Sequence, residues 1–165
     1  MTNFNNYAFI DGQNLYISIK KFDYEFSYEK FFIFLKNNLY VTKAFYFIGY
    51  TENRNCQMYK ELRNIGFQLS LRKPVYRFKY GQKKIKANVD SNLITHTLIK
   101  IQSYDKAVLV AGDGDYYLTA KYLLRNQKLH RLLVPHKSDC SDLFKNTIFM
   151  NHISYINRMD KILSK

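Results

Sequence analysis

"AVLVAGDGDYYLTAKYLL", residues 107–124, sets Asp113 and Asp115 one residue apart directly after an apolar run. Two carboxylates that close repel one another, so the pair needs water or a cation beside it. The stretch reads as a strand through "AVLVAG", a tight turn around Gly112 and Gly114, and a helix over "YYLTAKYLLRN". The same succession of strand, Asp and Gly occurs near the start. There "YAFID" ends on Asp11 and the helix "GQNLYISIKK" follows, with Leu15 and Ile19 at helical spacing.

Working outward, α and β segments keep alternating. Ser27 caps a helix over "YEKFFIFLKNNL", and "VTKAFYFIGY" is rich enough in aromatic and β-branched residues for a central strand. Met58, Leu62 and Ile65 share one helical face in "NRNCQMYKELRNIG", Gly66 is the left-handed stop, and "FQLSL" is the next strand. From Val89 a helix turns Val89, Leu93, Leu98 and Ile101 to the core, and "LHRLLVP" is the strand after residue 124. The C-terminal segment reads as mostly helical, with a short strand at "FMNHIS". This alternation predicts one α/β domain over residues 1–165, a mainly parallel sheet with helices on both faces. Ligands of such sheets collect beyond the carboxyl ends of the strands, where strand order reverses.

Lys and Arg number 26 against 13 Asp and Glu, a formal charge of +13, which points to a polyanionic partner: nucleic acid first, an anionic membrane surface second. A polar start and the lack of any membrane-length apolar run predict a soluble, cytoplasmic protein. Cys56 and Cys140 lie far apart without metal-ligand spacing, which argues against a disulfide framework or a zinc site. The stretch "RKPVYRFKYGQKKIK", residues 72–86, holds no acid, and Tyr76, Phe78 and Tyr80 alternate in it with Arg77 and Lys79. That period predicts a basic β-ribbon or arm inserted before the fourth sheet strand. Arg72, Lys73, Arg77, Lys79, Lys83, Lys84 and Lys86 are its candidate phosphate contacts, with the aromatics stacking on bases; the alternative is aromatics packed on the core under solvated lysines.

If the strands ending at Asp11 and before Asp113 are neighbours, Asp11, Asp113 and Asp115 converge at one sheet edge, and Asp90, at a helix start, joins them. Four acids in one site of a basic molecule are tolerable with divalent cations, and an all-oxygen donor set favours Mg²⁺ or Mn²⁺ over Zn²⁺. Helix capping is the competing explanation of Asp11 and of Asp113 or Asp115. No Ser/His/Asp or Cys/His arrangement offers a nucleophile.

Taken in order, "FIDGQNLY", "NVDSNLITHTL" and "VLVAGDGDYYLTAKYL" resemble the NYN-domain family of PIN-like ribonucleases, and the likeness runs from Tyr7 to about Ile153. The resemblance implies a PIN-like open parallel sheet of order 3-2-1-4-5. It also implies metal-dependent hydrolysis of RNA, for which endonucleolytic cleavage is our expectation, with Asp11, Asp90, Asp113 and Asp115 holding Mg²⁺ or Mn²⁺ and Asn14 as a polar supporter. DNA stays open as a substrate, and a homo-oligomer is compatible with the sequence. Departures are His96, where relatives carry a second Asp, Ala111 and Gly114, where Ser is frequent, and Ile148, where Asp is frequent. His96 is therefore a further candidate for a ligand or proton-transfer role. A catalytically weak RNA-binding module of the same fold, or another metal-dependent phosphoryl-transfer enzyme, is the alternative.

Overall fold

The structure, a computed structural model, describes residues 4–49, 56–72, 75–79, 82–86 and 89–165, with side chains for these except 56, 75–79 and 82–86. Strand β1 (Asn6–Asp11) is buried along its whole length and pairs in parallel with β2 (Val41–Gly49) on one side. On its other side it pairs with the strand Ala107–Val110, Tyr7 opposite Ala107 and Ile10 opposite Val110. The neighbours assumed from the sequence are thus real ones.

Helices α1 (Gly12–Ile19) and α2 (Tyr28–Asn38) lie between β1 and β2, and α3 (Cys56–Ile65) leads to β3 (Gln68–Arg72). Gly66 ends α3 at a φ of 122°, and its amide donates to the carbonyls of Leu62 and Arg63. Next come the ribbon strands β4 (Val75–Lys79) and β5 (Gln82–Lys86), helix α4 (Val89–Ile99), β6 (Ala107–Val110), α5 (Tyr117–Arg125) and β7 (Leu129–Val134). A short edge strand β8 (Ile153–Tyr155) and helix α6 (Asp160–Leu163) complete the chain. The main sheet runs β3-β2-β1-β6-β7-β8, all parallel, so the expected order 3-2-1-4-5 gains a sixth strand at its edge.

Alternation along the strands builds a core on each face. Ala8, Ile10, Tyr46, Val108 and Val110 meet Leu15, Phe31, Leu35 and Leu62 of α1–α3. Tyr7, Phe9, Phe47 and Leu109 meet Leu93, Ala120 and Leu123 of α4 and α5. Successive strand residues point to opposite sides, so a strand covered on both faces must be apolar throughout, as "YAFI" and "AVLV" are.

Two sequence expectations fail here. Leu98 does not face the core. The buried stripe of α4 is Val89, Leu93 and Thr97, a strict four-residue repeat, in which the Thr97 hydroxyl donates to the Leu93 carbonyl at 2.9 Å. Its polar atom thus satisfied, Thr97 takes the place that periodicity assigned to Leu98. The C-terminal segment is not mostly helical. It forms 3₁₀ turns at Lys137–Asp139, Asp142–Lys145, Thr147–Phe149 and Ile156–Arg158. The side chains of Ser141 and Asn146 each accept an amide two residues on, which restarts the chain in short turns instead of propagating one helix.

Within the basic stretch, β4 and β5 pair as a two-stranded antiparallel ribbon, with Arg77 opposite Lys84 and Tyr76 opposite Ile85. Alternation then assigns positions 77, 79, 84 and 86 to one face of the ribbon. Of the expected phosphate contacts, Arg72 is exposed at the end of β3; Lys73 and the side chains of Arg77, Lys79, Lys83, Lys84 and Lys86 lie outside the described residues. Among the described residues no helix is long and apolar enough to cross a membrane.

Candidate active site

Asp11 ends β1 and caps α1, its Oδ1 accepting the Asn14 amide at 2.9 Å. Asp113 follows β6 and caps the 3₁₀ turn Gly114–Tyr116, its Oδ1 accepting the Asp115 amide at 3.1 Å. Capping therefore explains one oxygen of each acid and leaves the other to be accounted for. The glycine after each strand is required by close approach. A Cβ on Gly12 would overlap the Tyr46 ring, and one on Gly112 would stand 2.9 Å from the Asp139 carbonyl oxygen.

Asp11, Asp90 and Asp113 line one cavity of about 240 Å³ with Gln13, Asn14, Ile17 and Val89. The first two acids come from β1 and the N-terminus of α4, the third from the turn after β6, at the carboxyl edge of the two central strands. Asn14 Oδ1 accepts the Gly112 amide at 3.1 Å, so its NH₂ group is the one left to donate.

Tyr116 ties two of the acids together. Its hydroxyl lies 2.9 Å from Asp11 Oδ2 and 2.7 Å from Asp90 Oδ1, on a side chain with no exposed surface. Burial first, then the two carboxylates, hold the phenol far above its ordinary pKa, so it keeps its proton. Burial also raises the pKa of Asp11, aided by the negative charge of Asp90 and opposed by the Asn14 amide and the Tyr116 hydroxyl. One hydroxyl proton serves only one carboxylate at a time, and the other faces a lone pair.

Asp115 and His96 are placed elsewhere. Asp115 lines a separate groove of about 520 Å³ between α4 and α5, with Ile94, Leu98, Ile101, Leu118, Thr119 and Tyr122. His96 sits about 9 Å further along α4 than Asp90 at the helical rise, edge-on to Phe47 at 5.4 Å between ring centroids. Burial, then Lys100, lowers its pKa. Ala111 is buried at the end of β6, and Ile148 is exposed on a 3₁₀ turn. Tyr116 is the site residue that sequence reasoning missed, and its only signal is its position directly after the second acid of the turn.

The donor types in the cavity are carboxylate and amide oxygens, with no sulfur or imidazole lining it, and they fit a hard divalent cation in kind. Among the described residues, however, no three His, Cys, Asp or Glu side chains stand close enough to hold an ion as they lie.

A family model described as "NYN domain" matches residues 7–150. A crystal structure of a protein of unknown function from Vibrio parahaemolyticus is similar over 99% of this chain and 98% of that one, with a TM-score of 0.74 and 21% sequence identity, a likeness of fold. No curated protein matches the sequence. With the family match spanning most of the chain and a PIN-like parallel sheet carrying acids at its central carboxyl edge, the chain belongs to the NYN domain family.

Proposed function

We propose that this protein is a divalent-metal-dependent ribonuclease that cleaves RNA internally. The observation that carries the reading is the convergence of Asp11, Asp90 and Asp113, from three separate segments, on one cavity of a chain with a net charge of +13. A cluster of carboxylates in a strongly basic protein is where an ion and a polyanion are both accommodated.

Asp11, Asp90 and Asp113 are the residues that would hold Mg²⁺ or Mn²⁺. Bound there, such an ion supplies an acidified water and charge stabilisation at the scissile phosphate. Asn14 directs its NH₂ to a phosphate oxygen. Asp115 lines the neighbouring groove and is not among the residues that hold the ion in this reading. Arg72 and the basic ribbon follow the RNA backbone, which brings affinity without base information. A second reading, an RNA-binding module without catalysis, draws on the Asp11–Tyr116–Asp90 contact, which links two of the acids without an ion.

Incubating the protein with a circular RNA and with DNA of the same sequence, in Mn²⁺, Mg²⁺ or EDTA, separates these readings. Linear products from the RNA circle in either metal and none in EDTA are expected. RNA retention without cleavage in all three conditions would leave the binding module, and cleavage in EDTA would remove the metal from the reading.

A further inference from the structure

We propose that Tyr116 is the positioning residue of this site: its hydroxyl sets the separation of the Asp11 and Asp90 carboxylates and thereby the affinity with which the cavity takes a divalent cation. The inference rests on the reading of the cavity as a cation site. A fully buried tyrosine carries a polar atom that must be desolvated, and a phenylalanine would fill the same core volume without that cost. The hydroxyl's two partners are both site acids, one at the end of β1 and one at the start of α4, so its bonds join the carboxylates of two elements whose apolar faces already pack together.

The ring is well suited to this work. It belongs to the core cluster beneath α4 and α5, and its amide donates to the Asp113 carbonyl at 3.3 Å within the turn that Asp113 caps. One five-residue turn, "GDGDY", therefore contributes the acid Asp113 and also the clamp on the other two acids. Groups that hold a metal ligand from behind fix its orientation, and their loss lowers affinity or activity by about 10–100-fold.

The test uses the full chain as wild type, Tyr116→Phe, Asp90→Ala and the double variant, with Mn²⁺ alone as the calorimetric probe. Melting in EDTA serves as the control for folding. Tyr116→Phe is expected to weaken Mn²⁺ binding about tenfold or more, to keep its EDTA melting temperature, and to lower kcat at limiting Mn²⁺ while leaving the KM for RNA unchanged. Excess Mn²⁺ is expected to restore that kcat. Wild-type affinity in Tyr116→Phe, or tighter binding, overturns the proposal while leaving the cation site itself intact. Absence of Mn²⁺ binding by the wild type overturns both. If Tyr116→Phe melts early in EDTA, the double variant decides. A combined loss smaller than the product of the two single losses shows the clamp acting through Asp90, and losses that multiply overturn it.

Discussion

Asn14 Oδ1 accepts the backbone amide of Gly112 at 3.1 Å, a bond between residues 98 positions apart that locks the first turn of α1 to the turn after β6. The two halves of the candidate site are thus registered to each other by one side chain, whose NH₂ group is the part left to donate.

Asn14→Ala leaves the Gly112 amide without its partner and is expected to cost about 1–3 kcal/mol, or about 2–4 °C of melting temperature per kcal/mol in a chain of this size. Asn14→Asp keeps the accepting oxygen and removes the donor. It is expected to melt near the wild type in Mn²⁺ and to cleave RNA at least about tenfold more slowly. Equal cleavage by Asn14→Asp would show that the NH₂ group does not touch the substrate.

Asp113→Asn retains a capping oxygen, so the fold is expected to survive while cleavage disappears. Asp113→Ala loses the cap as well, at about 1 kcal/mol. In the wild type, Mn²⁺ at a hundredfold excess over Kd is expected to add about 2.7 kcal/mol of stability, about 5–10 °C in melting temperature, and Asp113→Asn should gain far less. Identical melting curves in Mn²⁺ and EDTA would reduce Asp11 and Asp113 to helix caps.

The pKa of Asp11 is raised, chiefly by burial, so the metal-free fold holds a proton there that the unfolded chain has already lost. Asp11 therefore contributes stability that is complete below its ordinary value of 3.8 and is lost as the pH rises through the raised value. In EDTA, the wild-type stability minus that of Asp11→Asn is expected to grow on acidification through that window. Mn²⁺ must displace the same proton, so its affinity is expected to weaken over the same pH range. A wild-type-minus-variant difference that does not change with pH would show that Asp11 titrates normally.

Replacing Lys83, Lys84 and Lys86 with Ala is expected to weaken binding to unrelated RNA sequences by similar factors. Each phosphate that goes without its lysine flattens the dependence of log affinity on log salt by roughly 0.7 to 0.9. An unchanged salt slope would remove the ribbon from the binding track.

The residues alone left the adjacency of β1 and β6 an assumption, and the strand order came from the resemblance of "FIDGQNLY" and "VLVAGDGDYYLTAKYL" to the NYN-domain family. Asp11, Asp90 and Asp113 were legible once that adjacency was assumed, because strand ends and helix starts in such a sheet face one edge. Asp115 was not, because spacing in sequence does not give direction. With Asp113 extended and the next residues wound at about three per turn, the two acids of "GDGD" line different cavities. Tyr116 was hidden because an aromatic at the start of a helix looks like core filling, which its ring is, and only its hydroxyl belongs to the site. Leu98 misled because a threonine that satisfies itself within the helix can occupy a core position as well as a leucine.

The first strand made is also the strand in the middle. Tyr7 meets its partner Ala107 across a hundred residues of intervening chain, so β1 keeps one open edge until β6 has been synthesised. Closing such a long loop is slow relative to local helix formation, and unpaired strand edges are where nascent chains associate wrongly. The α1–β2–α3–β3 half can form early on one side of β1, but the cavity has no existence at that stage, since Asp90, Asp113 and Tyr116 all arrive later. Covering the second edge of β1 and assembling the acidic cluster thus depend on the same late segment, and a chain stalled before residue 107 has neither.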